Sequence, residues 1–369
     1  MKALQMRFTR ALPGIMLWAA ACACTTSNQN ASNITLDTLQ LLDQGRCLFR
    51  SMLPSDTAVQ VLVCVFVVMT IISLLINGCT LCCLGSSEDL SWERRFALLK
   101  NLIVSDVLLI VTQGPTVIYC LLQKTTLPYG AWCVIQFFIN TVCVFCTLFT
   151  ITCMALERYL YVCQAMDYLS ILTTRCLYLM VGFTWLISVC LTTIITALLS
   201  LGHNNSLLGK PITGLLCEPD TLESHLGFPR AAAVFRKVVG LMVALLCIFS
   251  YSFSYLRMYQ VARNAVQPFQ RVNKRARNTV MFYCSMLLLQ LLPIFLKIAS
   301  DALWELEGNM AMIRSLDNPG GWTLAGTLHI LLLVTLQAPP CINPLIYGLR
   351  NKEVREALPM LLRWWRLNR

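Results

Sequence analysis

Seven apolar runs, each long enough to cross a lipid bilayer as a helix, dictate what this chain can fold into: residues 58–84, 96–122, 131–162, 175–199, 231–259, 280–303 and 322–347. A hydrocarbon layer of roughly 30 Å takes about 20 helical residues. It offers no water to unpaired backbone groups, so such runs fold as helices that satisfy themselves. With 57% hydrophobic and only 13% charged residues, the chain has too little polar surface to cover a soluble globule of 369 residues. The sequence predicts an all-α membrane protein: a seven-transmembrane helix bundle over 58–349, followed by a short amphipathic helix and cytoplasmic tail over 350–369.

The last run carries the strongest local constraint. Pro339, Pro340, Asn343 and Pro344 interrupt an apolar helix that ends on Tyr347. Each proline removes a backbone hydrogen bond, at a cost of about 3 kcal/mol or more in a soluble helix interior. Membrane helices keep such kinks where neighbours re-satisfy the freed groups, so a surrounding bundle is implied. Beyond the kink, Val354, Leu358, Leu361, Leu362 and Trp365 fall roughly on one side and Arg355, Arg363 and Arg366 elsewhere, the pattern of a helix lying in the inner interface.

Orientation follows the basic residues. Arg257, Arg263, Arg271, Lys274, Arg275 and Arg277 lie between spans five and six, and Arg350, Lys352, Arg355, Arg363, Arg366 and Arg369 follow span seven, so these segments are expected in the cytoplasm. Sequons at Asn30, Asn33 and Asn204 fall on the opposite side, where glycosylation occurs. The plasma membrane, with the amino terminus outside, is the expected location. Residues 1–23 have the order of a secretory signal peptide: Lys2, Arg7 and Arg10, then an apolar stretch, then small residues permitting cleavage after Ala21 or Ala23. The alternative is an uncleaved apolar tail, and residues 24–57 form the extracellular amino-terminal segment. The net charge of +11 is topology plus attraction to anionic inner-leaflet lipid; it gives no reason to invoke nucleic acid.

Polar residues inside the spans are the candidate machinery. Asp106 in span two costs about 2.5–3.5 kcal/mol to insert and is expected to face the bundle with a partner; Asn77, Thr147 and Asn343 are the candidates. A protonated Asp106 bonded only to its neighbours is the plainer alternative. In span three, Cys133 and Arg158 stand roughly 37 Å apart at 1.5 Å per residue, one at each membrane surface. Cys133 can therefore meet an outer-loop cysteine, and Cys217 is the sole cysteine of the segment before span five, on the oxidising side where such a bond persists. Most of the nineteen cysteines lie within spans, where a thiol acts as a small apolar group. Glu157, Arg158 and Tyr159 at the inner end of span three would, taken alone, read as a surface ion pair worth under about 1 kcal/mol.

Their company changes that reading. Asn77, Asp106, Cys133 twenty-five residues before Arg158, Trp185, Pro293 and the run Asn343-Pro344-Leu345-Ile346-Tyr347 occur in one order, and together they resemble a rhodopsin-like (class A) G-protein-coupled receptor from Ala58 to Leu362. Within that family the stretch from Met154 to Tyr159, then Val162-Cys163 and Tyr168, the pair Ser250-Tyr251, and the run from Asn343 through Val354 are similar to odorant receptors. Glu157 stands where most of them have aspartate. The basic opening of span six, from Asn273 to Thr279, and the single outer-loop cysteine depart from the mammalian pattern and look most like a divergent, fish-type odorant receptor.

The resemblance implies a small odorant in an outer cavity, a heterotrimeric G protein entering an inner cleft, and no catalysis, metal or cofactor. It assigns coupling and switching to Glu157, Arg158, Tyr159, Tyr251, Asn343, Pro344 and Tyr347, with Arg158 held by Glu157 at rest and free to reach Tyr251 on activation. Pro293 would be the pivot of span six, and Leu291 replaces the family's usual aromatic toggle. The cavity between spans three, five, six and seven would use Asn140, Thr141, Arg236, Lys297 and Gln337. Asn140 in place of an aspartate argues against a monoamine, and Gln337 in place of a lysine against retinal. Arg236, Lys237 and Lys297 suit an acidic odorant, although cations near outer helix ends usually snorkel to headgroups, and Lys297 has Asp301 one turn on. The competing readings are a non-olfactory class A receptor for a lipid, peptide or other small ligand, and, more distantly, a transporter. Against the transporter, the spans carry no internal repeat. Against an enzyme, His203, His225 and His329 form no metal spacing and no span carries paired carboxylates.

Overall fold

The computed structural model describes residues 43, 45–50, 53, 55–86, 94–164, 167–201, 214–217, 230–264, 324–345 and, within 281–296, residues 281, 285, 288, 289, 291–293, 295 and 296. Span one is the helix Asp56–Ser86, span two Arg94–Gln123, span three Ala131–Cys163, span four Thr174–Leu201, span five Arg230–Asn264 and span seven Leu324–Asn343. The described positions of span six are helical. Five of these helices are long and apolar enough to cross a membrane, and Thr327–Asn343 is a shorter apolar helix. The expected signal peptide, the three sequons, Lys297, Tyr347 and the tail from Arg350 lie outside the described residues.

Span three is the axis of the bundle and packs against spans two, four and five; spans one and seven close on span two from the other side. Burial follows this order. Spans two and three are the most enclosed, while spans one and four turn most of their surface outward. The core runs through Leu102, Ile103 and Leu121 of span two, Phe137, Cys146 and Ile151 of span three, and Tyr251 of span five.

Helix ends follow local chemistry. Span two continues through Pro115 and stops at Lys124, the one described non-glycine residue with positive φ, at 51°. From that position the Lys124 ammonium reaches the Asp56 carboxylate at 2.7 Å, tying the start of span one to the end of span two. Both side chains are largely solvated, so the pair contributes little to stability. Close packing of spans one, two and seven depends on Gly114. A Cβ there would lie 2.7 Å from Thr70 Oγ1 and 2.9 Å from Thr70 Cγ2.

The kink of span seven is satisfied from span one. Pro344 has no N–H to give the carbonyl four residues back, which is that of Pro340. Ser73 Oγ donates to this freed carbonyl at 3.0 Å and Asn77 Nδ2 at 2.9 Å. Pro344 and Leu345 then continue in a wider, π-type turn.

Candidate functional site

Three polar layers stack along the bundle. At the outer end, Cys133 and Cys217 are joined in a disulfide with Cα atoms 5.3 Å apart. One turn further along span three, the fully buried Gln136 accepts from the Cys217 backbone N–H at 3.5 Å and donates Nε2 to the Thr112 carbonyl at 3.1 Å. The loop before span five is thus held by a covalent bond and a side chain that also grips span two. Leu215 and Leu216 are buried beside it. Leu127 N–H donates to the Gly214 carbonyl, and Thr126 N–H to the Gly45 carbonyl, so the segment before span one joins the same roof, with Phe49 buried under it. Cys47 of that segment is also disulfide-bonded.

Below the roof, Asn140 Oδ1 accepts from Thr112 Oγ1 at 2.8 Å, and Thr141 beside it is half-buried. Gln337 lies across the bundle, 2% exposed, and its Nε2 donates to Thr70 Oγ1 at 3.1 Å. Its Oε1 is buried with no hydrogen-bond partner among the described residues, which makes it a free acceptor between spans one, two and seven. Arg236 is half-buried near the start of span five, and Lys237 is exposed. The expected ligand residues that are described therefore fall in three places: Asn140 and Thr141 on span three, Arg236 near the start of span five, and Gln337 toward spans one and two.

In the middle layer Asn343 Nδ2 donates to Asp106 Oδ2 at 2.9 Å, with Asn343 fully buried and Asp106 2% exposed. Of the three partners the sequence offered Asp106, the geometry selects Asn343. Asn77 is engaged by the Pro340 carbonyl, and Thr147 by Ser105 Oγ at 3.2 Å. A second cluster, which the sequence reading missed, centres on Asn101. It donates to Thr150 Oγ1 at 2.7 Å and accepts from Trp185 Nε1 at 2.6 Å, joining spans two, three and four. An amide one and a half turns before Asp106, with a tryptophan on the opposite span, was its only sequence signal.

At the inner end Glu157 and Arg158 point to different neighbours. Glu157 is 7% exposed and accepts from Tyr168 OH at 2.8 Å, from the short helix Tyr168–Ile171 that follows span three. Arg158 Nη1 donates to Tyr255 OH at 3.2 Å. Tyr251, expected to receive Arg158 on activation, lies one turn before Tyr255, and the two rings pack with centroids 4.6 Å apart. Tyr159 packs against Phe253 at 5.8 Å. Among the described residues a charged hydrogen bond and an aromatic contact thus join spans three and five. Among the described residues no group of histidine, cysteine or carboxylate side chains could hold a metal ion. What the site offers is a set of buried side-chain hydrogen bonds that join one helix to the next along the bundle.

Comparison with known proteins gives one consistent pattern. The family model for the seven-transmembrane receptor (rhodopsin family) matches residues 76–347. Among curated human proteins, olfactory receptor 2AG2 is 24% identical over 320 residues, 82% of this chain and 89% of its own length. Olfactory receptor 5AN1 is 25% identical over 312 residues, 82% and 90% of the two chains. Olfactory receptor 11H4 is 27% identical over 306 residues, 80% and 85%.

Proposed function

The chain belongs to the rhodopsin family of seven-transmembrane receptors, and we propose that it is an odorant receptor that binds a small molecule beneath its outer roof and activates a heterotrimeric G protein at its inner end. The observation that carries the coupling half is the inner end of span three, where Arg158 reaches Tyr255 on span five and Glu157 is engaged by Tyr168. A guanidinium keeps its charge and five donors whatever its surroundings, so when span five or six shifts, the donors Arg158 now directs at Tyr255 turn to a partner's backbone or carboxylates. The olfactory reading rests on relatives that share most of their length with this chain. The fish-type placement rests on the single outer-loop cysteine and the basic opening of span six.

The switch proper is the middle layer. Asn343 stands beside Pro344, so any change in the kink of span seven alters its hydrogen bond to Asp106, and Tyr347 follows four residues later in the sequence. The ligand-facing residues are Asn140, Thr141 and Gln337, with Arg236 and Lys297 as cations for an acidic odorant. The amino terminus faces outward and carries glycans at Asn30, Asn33 and Asn204, while the tail over 350–369 lies cytoplasmic as an amphipathic helix. A disulfide between Cys133 and Cys217 supports that orientation, because it belongs on the oxidising side.

The experiment is a screen of acidic and neutral odorants against the full-length receptor in cells, reading G-protein activation, with Arg236→Ala and Lys297→Ala variants. Responses to acids that fall selectively in the variants support the cation assignment. Acid responses unchanged in both remove it, and a receptor answering only peptides or long-chain lipids overturns the olfactory reading.

A further inference from the structure

Three side-chain amides meet span two at one level, outward of Asp106. Thr112 Oγ1 donates to Asn140 Oδ1 of span three at 2.8 Å. Two residues on, a Cβ at Gly114 would lie 3.4 Å from Gln337 Nε2 of span seven. Asn140 and Gln337 thus flank span two from positions only about 3 Å apart along its axis, at 1.5 Å per residue. Gln113 lies between those positions. Successive side chains leave a helix about 100° apart, so Gln113 points into the sector between its two neighbours, into the bundle. Val111 and Pro115, on the other side of the helix, are exposed.

Hydrogen-bonding capacity is left over at this level. Gln337 commits Nε2 to Thr70 Oγ1 at 3.1 Å, and its buried Oε1 has no partner among the described residues. Asn140 commits Oδ1 to Thr112 and is half-buried, with its N–H groups bonded to none of the described residues. Gln113 is 3% exposed and takes part in no hydrogen bond among them. Buried polar groups are ordinarily paired, with protein, water or ligand. A counter-charge is lacking: the nearest carboxylate on span two is Asp106, seven residues and about 10 Å toward the inside.

We propose that Gln113, Gln337 and Asn140 form a subsite for an uncharged group that donates and accepts at once, a hydroxyl or a primary amide on an apolar chain. The group donates to Gln337 Oε1 and accepts from the amide N–H groups of Gln113 and Asn140. An ether only accepts, and leaves Gln337 unpaired. A carboxylate brings no donor, and its charge would be desolvated here without a partner. The subsite deepens the reading of a small odorant beneath the outer roof and rests on it; it is separate from Arg236 and Lys297 on spans five and six.

The test measures G-protein activation in cells expressing the full-length receptor at matched surface levels. The probes are straight-chain primary alcohols and primary amides, each beside the methyl ether and the alkane of matched length, together with the corresponding acids. The expected result is a potency for alcohol or amide roughly 10- to 100-fold above that of the ether, the size set by leaving a buried hydrogen-bonding group unpaired. That preference should collapse in Gln337→Leu and in Gln113→Leu, and equally in Gln337→Met, which guards against a shape effect of leucine. A receptor that answers small odorants but ranks alcohol, ether and alkane alike overturns the subsite and leaves the odorant reading standing. So does one that answers acids alone, or keeps its preference in all three variants. A receptor that answers no small molecule fails the odorant reading. The subsite is then decided on the purified receptor, where a melting temperature raised by alcohol and amide but not by ether supports it, and one that none of them moves means buried water only and overturns it.

Discussion

Asn343 Nδ2 hands a hydrogen bond to Asp106 Oδ2 at 2.9 Å across 237 residues of sequence, and both side chains are shut away from solvent. Truncating the acceptor removes this buried hydrogen bond to an ionisable group, a loss of about 1–3 kcal/mol. Asp106→Ala is therefore expected to lower the thermal stability of the purified receptor by that amount. Asp106→Asn, which keeps a carbonyl acceptor in place, should lose clearly less. Melting curves in one detergent or nanodisc system check the ranking, and equal losses would show that Asn343 does not depend on this oxygen.

The kink of span seven yields a sharper test. Asn77 donates to the Pro340 carbonyl because Pro344 cannot. In the wild type, Asn77→Ala should destabilise by about 1–2 kcal/mol for a weakened buried bond. In a Pro344→Ala background the alanine N–H can return to that carbonyl, so the same substitution should cost less. A double-mutant cycle measured by thermal unfolding gives the coupling directly; additive effects would separate Asn77 from the proline.

Gly114 is the contact point of spans one, two and seven. Gly114→Ala places a methyl 2.7 Å from Thr70 Oγ1, and overpacking of this kind costs about 1–3 kcal/mol. Adding Thr70→Ala clears the space at the expense of the Gln337 hydrogen bond, so the double variant should recover part of the loss. Cell-surface expression and melting temperature report both effects.

The Cys133–Cys217 bridge closes a sequence separation of 84 residues, for which a disulfide contributes up to about 4–5 kcal/mol in the chain-entropy account. Cys133→Ser and Cys217→Ser should each cut surface delivery severely. The double variant should be no worse than either, since only one bond is lost. A double variant much worse than both singles would mean that the two thiols act independently.

The seven apolar runs were legible because hydrocarbon imposes one secondary structure and a minimum length. The outer disulfide was legible because the length of span three fixes which end Cys133 occupies. Pairings decided by helix rotation were not. Asp106 had three candidate partners at similar depth, and only the packing of span seven on span two places Asn343 there, while Asn77 turns to the carbonyl that Pro344 frees. Tyr251 and Tyr255 are one turn apart on span five and share a face, so the sequence does not say which of them stands at the level of Arg158; in the structure it is Tyr255. The Asn101–Trp185 contact joins spans 84 residues apart, and nothing local to either residue announces the other.

The central claim is that this receptor signals through the inner end of span three. It is tested most directly by measuring odorant-evoked G-protein activation for the wild type and Arg158→Ala at matched surface expression, with Tyr255→Phe alongside. The account predicts a response abolished in Arg158→Ala and shifted in Tyr255→Phe, which removes this hydrogen bond to the guanidinium while keeping the ring. A response of the same size in the wild type and Arg158→Ala would contradict it.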